Sequence, residues 1–554
     1  MLYVQICELK QLLHQNLSNG KYGGAFVAKK EFKLYPCDEI NSIVELAERS
    51  KRLYGDSVAY IYKEKRQRVE KTYNDLVADS KKLAQMLLRK NLKKGHIALV
   101  GGSSYQYIVS YYAAMYAGLV IVPLDKELSF DAVYEQLEKA EADFFLYDKT
   151  YKDYAQLVTE RTNGAMETFC INDSFENEGE DVPFPEVDPD KLSTIIFTSG
   201  TTGKGKGVML TQRNIARNVM AGGAHARVYH ESDVSLSVLP MNHAYECLGN
   251  LFLMVYFGVP VCISSGLRYI AKELQEYKPT MLFAVPLLPQ MLIDKVWSTA
   301  TKEGKDKKLR LGIKICNIAK KLGIDLTDKI LGEVKAAFGG RLRLIVAGGA
   351  PVSQSLVNSC QDLGVLVLTG YGLSECSPLL AFNFDYFQKP DSVGRVVPGC
   401  EMKVVDGELW ARGISVSTGY YNDPENTKEN FVDGWFLTGD MGHIDEDDFV
   451  YITGRKKNLI ILGNGKNVAP EEIEDHIYTD MPYVSEVVVT GEDDKLVAEI
   501  YLNEDMPTDE KTVHDDMAKL NATMPVYKQI ASIRFRSEPF PRTTTKKIIR
   551  HKVQ

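Results

Sequence analysis

The run TSGTTGKGKGVMLT, Thr198 to Thr211, gathers hydroxyls, glycines and cations into one loop. Thr198, Ser199, Thr201 and Thr202 supply O–H donors, and Lys204 and Lys206 supply ammonium groups. Gly200, Gly203 and Gly205 keep the backbone pliant between them. This set suits the phosphates of a nucleotide. A P-loop would place a serine or threonine after its lysine to hold Mg2+, and a helix N-terminus over the phosphates. Here Gly207 follows Lys206. The flanking segments, TIIF at Thr194 to Phe197 and GVML at Gly207 to Leu210, both read as strands, and a helix starts only near Thr211. The loop is therefore expected to join strand to strand, as a flap that closes on phosphates and releases them. The alternative is a glycine-rich hairpin turn without a ligand.

The elements that must carry such a loop are legible around it. Tyr73 onward, YNDLVADSKKLAQMLLRKNL, has helical apolar spacing, and HIALVG at His96 to Gly101 reads as a buried strand. A helix around Ser110 to Tyr116 then leads to LVIVPL. This alternation predicts α/β layers, sheets with helices on their faces. The acidic, proline-bearing stretch Asn172 to Lys191 reads as a surface connection before the loop. A chain of 554 residues allows about three or four structural units. The net charge of −8 lacks the basic excess of a nucleic-acid footprint. The nine cysteines never approach a C-x-x-C spacing, which argues against zinc or a redox pair. The first residues have no basic region followed by an apolar run, so no signal peptide is expected. The most apolar stretches, Tyr111 to Leu124 and Leu251 to Ile263, are too short to span a bilayer, so a cytoplasmic protein is expected.

The loop resembles the phosphate loop of the adenylate-forming superfamily, usually S-G-T-T-G-x-P-K-G, with Gly205 where proline is common. Further segments occur in the superfamily's order. LPMNHAYE, Leu239 to Glu246, resembles the segment whose histidine, here His243, gates or lines the acyl site; a lone histidine near a helix start is otherwise a cap or packing residue. VAGGAPVS, Val346 to Ser353, resembles the adenine-pocket turn, with Gly349 and Ala350 beside the base. GYGLSECSP, Gly370 to Pro378, resembles the Y-G-x-T-E box. It implies Tyr371 stacking on adenine, Gly372 beside it, Ser374 bonding the α-phosphate and Glu375 holding Mg2+, which prefers hard oxygen ligands. Asp440, in DGWFLTGDMGHID, is implied as the ribose partner, and Arg455 as a cation near ribose and phosphate; an aspartate at a hairpin corner is otherwise a turn former.

The resemblance implies a large N-terminal adenylation domain, residues 1–456, built of layered sheets and helices. It places a hinge at Lys457 and a small mobile α+β lid domain at 457–554. Near its end PFPRTTTKKIIRHK resembles the terminal P-R-T-x-x-G-K-x-x-R pattern, with Lys546 replacing glycine and Lys547 in the catalytic place. The chemistry implied is two half-reactions. A carboxylate attacks the α-phosphorus of ATP and pyrophosphate leaves; then the thiol of CoA attacks the acyl-adenylate and AMP leaves. Lys547 serves the first step and withdraws for the second, which is a reason for the hinge.

The segment LPMNHAYE, the long stretch before GGRLRLIVAGGAP and the GRKKNLIILGNGKNVAPEEIE run look more like long-chain fatty-acyl-CoA synthetases than acetyl, aryl or amino-acid activators. A medium- to long-chain fatty acid is the expected substrate. The phosphopantetheine of an acyl carrier protein is the alternative acceptor, since both acceptors end in the same thiol. Lys302 to Lys321 interleaves lysines with leucine and isoleucine, which reads either as a peripheral membrane contact or as a solvated amphipathic helix pair. A non-catalytic sensor and a P-loop phosphohydrolase are the readings from other classes. The pocket that sets acyl length is expected around Gly222, His243 and the loop after Tyr371.

Overall fold

The computed structural model describes residues 32–175, 180–198, 205–227, 229–463, 466–504, 506–542 and 548–550. Chain contacts separate Met1–Lys33 from a compact unit, Leu34–Gln554, and all the described helices and strands belong to the second unit.

Its first sheet has six strands in the order Glu167–Cys170, Phe144–Tyr147, His96–Val100, Val120–Pro123, Leu192–Thr198 and Lys206–Thr211. The first five run parallel and only the last pair is antiparallel. Every residue of His96–Val100 is buried, as expected for a parallel strand covered on both faces. The helix Tyr73–Leu88 opens with a capping box in which Thr72 and Asp75 satisfy each other's backbone amides. The helix expected around Ser110 to Tyr116 is longer, Tyr105–Tyr116, because Ser104 caps it and every residue after Gln106 is buried. Such all-round burial erases the amphipathic pattern that would have marked its start.

A second sheet of nine strands runs in the order Arg395–Val396, Leu379–Phe382, Leu366–Gly372, Leu344–Ala347, Met281–Ala284, Ser235–Ser237, Val261–Ile263, Val58–Glu64 and Gln67–Thr72. One core lies between the two sheets, with Tyr60, Tyr111, Tyr112 and Phe252 among its largest buried side chains. A separate core, including Leu274, Leu288, Ile313, Leu356 and Cys360, fills the space under helices on the second sheet's other side. Strands Cys400–Val405, Glu408–Gly413, Phe431–Val432, Trp435–Ile444 and Val450–Arg455 form a five-stranded antiparallel sheet.

Beyond it, Val484–Glu492, Lys495–Leu502 and Ile530–Phe535 form a three-stranded sheet that packs with helices Pro470–Asp480 and Glu510–Thr523 around a core of their own. The lysine-rich stretch Lys302 to Lys321 forms one helix, Asp306–Lys321, and not a helix pair; Lys302 is the last residue of the helix before it, Leu287–Lys302. Among the described residues no helix is long and apolar enough to cross a membrane.

Candidate active site

The hydroxyl- and glycine-rich loop joins the antiparallel strands Leu192–Thr198 and Lys206–Thr211, whose last register pair is Thr198 with Lys206. Thr211 caps the following helix, Gln212–His225, through a capping box with Asn214. The P-loop alternative fails here, because a strand and not a helix follows the lysine. The missing hydroxyl also has a steric reason: a Cβ on Gly207 would lie 2.9 Å from Ile195 Cγ2 on the facing strand. Ser199, Gly200, Thr201, Thr202 and Gly203 lie outside the described residues, as does Lys204. Lys139 braces the foot of the loop, its Nζ reaching the Gly205 carbonyl at 3.0 Å and Asp423 at 3.1 Å.

Residues 419–421 line the outer strand of this hairpin: the amides of Met209 and Tyr421 donate to the carbonyls of Gly419 and Gly207. This placement brings Tyr420 between two expected site residues. Lys206 Nζ stands 4.9 Å from the centre of the Tyr420 ring, and the Tyr420 hydroxyl donates to Glu375 Oε1 at 2.9 Å. Sequence reasoning singles out neither Tyr420 nor Lys139. Each lies far along the chain from its partner, and the only local signal for Tyr420 is its place in STGYY.

Ser374 and Glu375 form a short 3-10 turn with Cys376, held by the Ser417 amide donating to the Glu375 carbonyl at 2.7 Å. Glu375 is buried, so the loop is not a solvated acidic turn. Burial raises its carboxyl above the ordinary value, while backbone and Tyr420 hydrogen bonds and the cations Arg455 and Lys206 pull it down. Burial wins, which leaves a carboxylate that would gain from an additional cation.

The strand Leu366–Gly372 brings Tyr371 to the same place. Its hydroxyl donates to Asp440 Oδ2 at 2.6 Å, and Arg455 Nε contacts Asp440 Oδ1 at 2.7 Å. Asp440 is not at a hairpin corner: it sits inside the strand Trp435–Ile444, in register with Arg455 on the next strand. The turn-former alternative is thereby removed. Lys457, in the short turn Lys456–Asn458, belongs to the cluster. Desolvation lowers its ammonium, the cations Arg455 and Lys206 add to the effect, and Asp440 opposes it. Lys456 beside it reaches the buried Glu408 at 2.8 Å, which also accepts from the Gly439 amide.

The turn Gly348–Gly349–Ala350 follows the strand Leu344–Ala347, with Gly349 at φ +76°. A Cβ on Gly348 would lie 3.2 Å from the Gly370 carbonyl, so this turn abuts the start of the Tyr371 segment. His243 stands at the N-terminus of the helix Ala244–Glu246 and makes no side-chain cap bond. Two residues on, Tyr245 donates to the Val346 carbonyl at 2.8 Å and packs against Gly348 and Gly349. The histidine segment and the glycine turn are thus adjacent. Gly222 leaves room for Leu379 and Leu253, whose methyls would stand 3.6 and 3.8 Å from a Cβ there. Lys546 and Lys547 lie outside the described residues, but their flanks are fixed. Arg542 and Ile548 form an antiparallel bridge, Arg542 pairs with the buried Glu486 at 2.7 Å, and Arg550 pairs with the buried Glu474.

Comparison with known proteins matches most of the chain to one family. The AMP-binding enzyme family profile matches residues 47–421, and the AMP-binding enzyme C-terminal domain profile matches 457–554. A long-chain-fatty-acid–CoA ligase of Mycobacterium tuberculosis is 30% identical over 437 residues, covering 72% of this chain and 71% of its own. Fatty acyl-CoA synthetase A of Dictyostelium discoideum is 30% identical over 467 residues, covering 76% and 70%. Among solved structures, o-succinylbenzoate CoA synthetase from Bacillus subtilis with its acyl-adenylate superposes at a TM-score of 0.72, 23% identity, over 92% of this chain and 97% of that one. A profile that spans most of the chain, on a fold shared with adenylate-bound enzymes, shows the family: the chain belongs to the AMP-binding family of adenylate-forming enzymes.

Proposed function

We propose that the protein is an AMP-forming acid–thiol ligase that activates a medium- to long-chain fatty acid with ATP and passes the acyl group to CoA. The observation that carries this reading is the convergence of Lys206, Tyr420 and Glu375 with Arg455, Asp440 and Tyr371. A phosphate grip, a buried carboxylate and a ribose-type carboxylate in one place are what adenylyl transfer requires. The relatives named as fatty-acid ligases support the choice of acid.

In the first half-reaction the substrate carboxylate attacks the α-phosphorus of ATP, and the bond to pyrophosphate breaks. Asp440 accepts from the ribose hydroxyls while Arg455 holds its other oxygen. Tyr371, tied to Asp440, presents its ring to the base. Thr198, Lys206 and the rest of the loop bind the leaving phosphates, with Tyr420 holding Lys206 and Glu375 on its two sides. Ser374 donates to the α-phosphate. Glu375 would hold Mg2+, which neutralises phosphate charge as pyrophosphate departs. In the second half-reaction the thiol attacks the acyl carbonyl and AMP leaves. Domains 1–456 and 457–554, joined at Lys457, allow Lys547 to serve the first step and make way in the second. His243 and Gly222 line the acyl side.

The test is mass spectrometry of one incubation of the protein with Mg-ATP, CoA and a pool of acids from acetate to octadecanoate. The expected products are AMP, pyrophosphate and one or a few acyl-CoA species of fatty chain length. ADP in place of AMP would overturn the reading. AMP with enzyme-bound acyl-adenylate and no thioester would transfer the acceptor role to an acyl carrier protein.

A further inference from the structure

The helix Asp306–Lys321 has two apolar faces, and the fold covers one of them. Leu309, Gly312, Ile313, Cys316 and Ala319 are buried, the larger of them in the core that includes Leu356 and Cys360. Leu311, Ile315 and Ile318 are instead 58, 41 and 53% exposed, and Leu322 and Ile324, just past the helix end, are 73 and 53% exposed. Positions 311, 315, 318 and 322 recur at the spacing of a single helical face, so they make a continuous stripe. Single exposed aliphatic residues are ordinary; a stripe about three turns long marks an interaction surface.

The helix that carries the stripe is basic, and the nearest acid past its end, Asp325, is close to Lys320. The helix holds six basic residues against Asp306 alone, in a chain whose net charge is −8. Lys307, Lys314 and Lys321 recur every seven residues and stand exposed along one flank of the stripe, while Lys308 is exposed on the other. Long lysine stems beside exposed leucine and isoleucine match an interface that is apolar within and anionic at its edge. A convex helix face, and not a groove, presents them.

We propose that this face docks the protein on the surface of an anionic lipid bilayer, with the stripe at the level where headgroups meet acyl chains and the lysines against lipid phosphates. The preceding helix, Leu287–Lys302, follows the strand Met281–Ala284, whose Phe283 ring lies 6.1 Å from that of Tyr245 and leaves no room for a side chain at Gly249. The buried face of the docking helix shares a core with that preceding helix. The proposal rests on surface chemistry and is independent of which acid is activated.

The test is sedimentation of the full chain with vesicles of phosphatidylcholine, with and without phosphatidylglycerol. Binding is expected only with phosphatidylglycerol and should weaken as salt rises. Two variants, Leu311→Ser/Ile315→Ser/Ile318→Ser and Lys307→Glu/Lys314→Glu/Lys321→Glu, should each lower the partition coefficient by about tenfold or more. Their thermal unfolding midpoints should match the parent, since all six positions are exposed; if the serine variant fails to fold, the charge reversal carries the test. A parent chain that stays in the supernatant with phosphatidylglycerol vesicles, or variants that sediment like the parent, would overturn the proposal. So would a solution dimer that the serine substitutions dissociate, or a carrier protein that binds this face while vesicles do not.

Discussion

At the scale of single residues, the site is organised by pairs whose members lie far apart in sequence. Tyr420 joins Lys206 to Glu375, and Asp440 joins Tyr371 to Arg455. Lys547, outside the described residues, has its role read from sequence alone. Lys547→Ala should lower acyl-adenylate formation at least about 10²-fold, the usual cost of losing one charge-stabilising donor. Thioester formation from supplied acyl-adenylate should stay within a few-fold, and single-turnover assays of the two steps would check both. Glu246 makes a different prediction. It is wholly buried, accepts hydrogen bonds from Ser237 and Asn250, and burial pushes its carboxyl from 4.5 up to about 7. The folded chain thus binds this proton more tightly than the unfolded chain does. Its contribution is complete below about pH 4.5, is lost as pH rises towards 7 and is flat above; the full change is of order 3 kcal/mol. Glu246→Gln should flatten that slope, measured as denaturation midpoints across the window.

At the scale of elements, the strand Leu366–Gly372 sets the height of the whole Glu375 turn. A Cβ on Gly372 would fall 1.6 Å from the backbone carbonyl of Pro378, so strand and turn touch without a side chain between them. Gly372→Ala should therefore destabilise the protein by about 2–4 kcal/mol. It should also weaken nucleotide binding, because Ser374 and Glu375 hang from the displaced turn. Thermal unfolding and ATP titration calorimetry would measure the two effects separately. A variant as stable as the parent but unable to bind ATP would make Gly372 a ligand contact instead of a packing constraint. Much at this scale was legible in the sequence. The strand-like runs TIIF and GVML on either side of the loop predicted strand–loop–strand, whereas the start of the helix Tyr105–Tyr116 was hidden by its burial on all sides.

At the scale of the whole molecule, the short turn Lys456–Asn458 links the five-stranded sheet to the C-terminal sheet and helices. Asn458 donates to Glu471 at 2.6 Å, and Arg550 also pairs toward Glu471, so one carboxylate on the helix Pro470–Asp480 touches both the turn and the tail. If Lys457 is the pivot, Lys457→Pro should stiffen it. Overall turnover should then fall at least about tenfold while one half-reaction, assayed alone in a rapid-quench experiment, stays within about twofold of the parent. A parallel loss of both steps would remove the hinge role.

Local order in the chain determined the strands that flank the hydroxyl- and glycine-rich run, the carboxylate turn and the sequence of motifs, because these depend on residues a few positions apart. It could also indicate that Lys302 to Lys321 is amphipathic. Tertiary structure alone decided that Asp440 lies within a strand opposite Arg455, that Tyr420 stands between Lys206 and Glu375, and that one apolar face of the lysine-rich helix is left uncovered. Each of those depends on which strand pairs with which and which helix face meets the core. Such contacts close loops of tens to hundreds of residues, and their partners carry no mark in the local pattern.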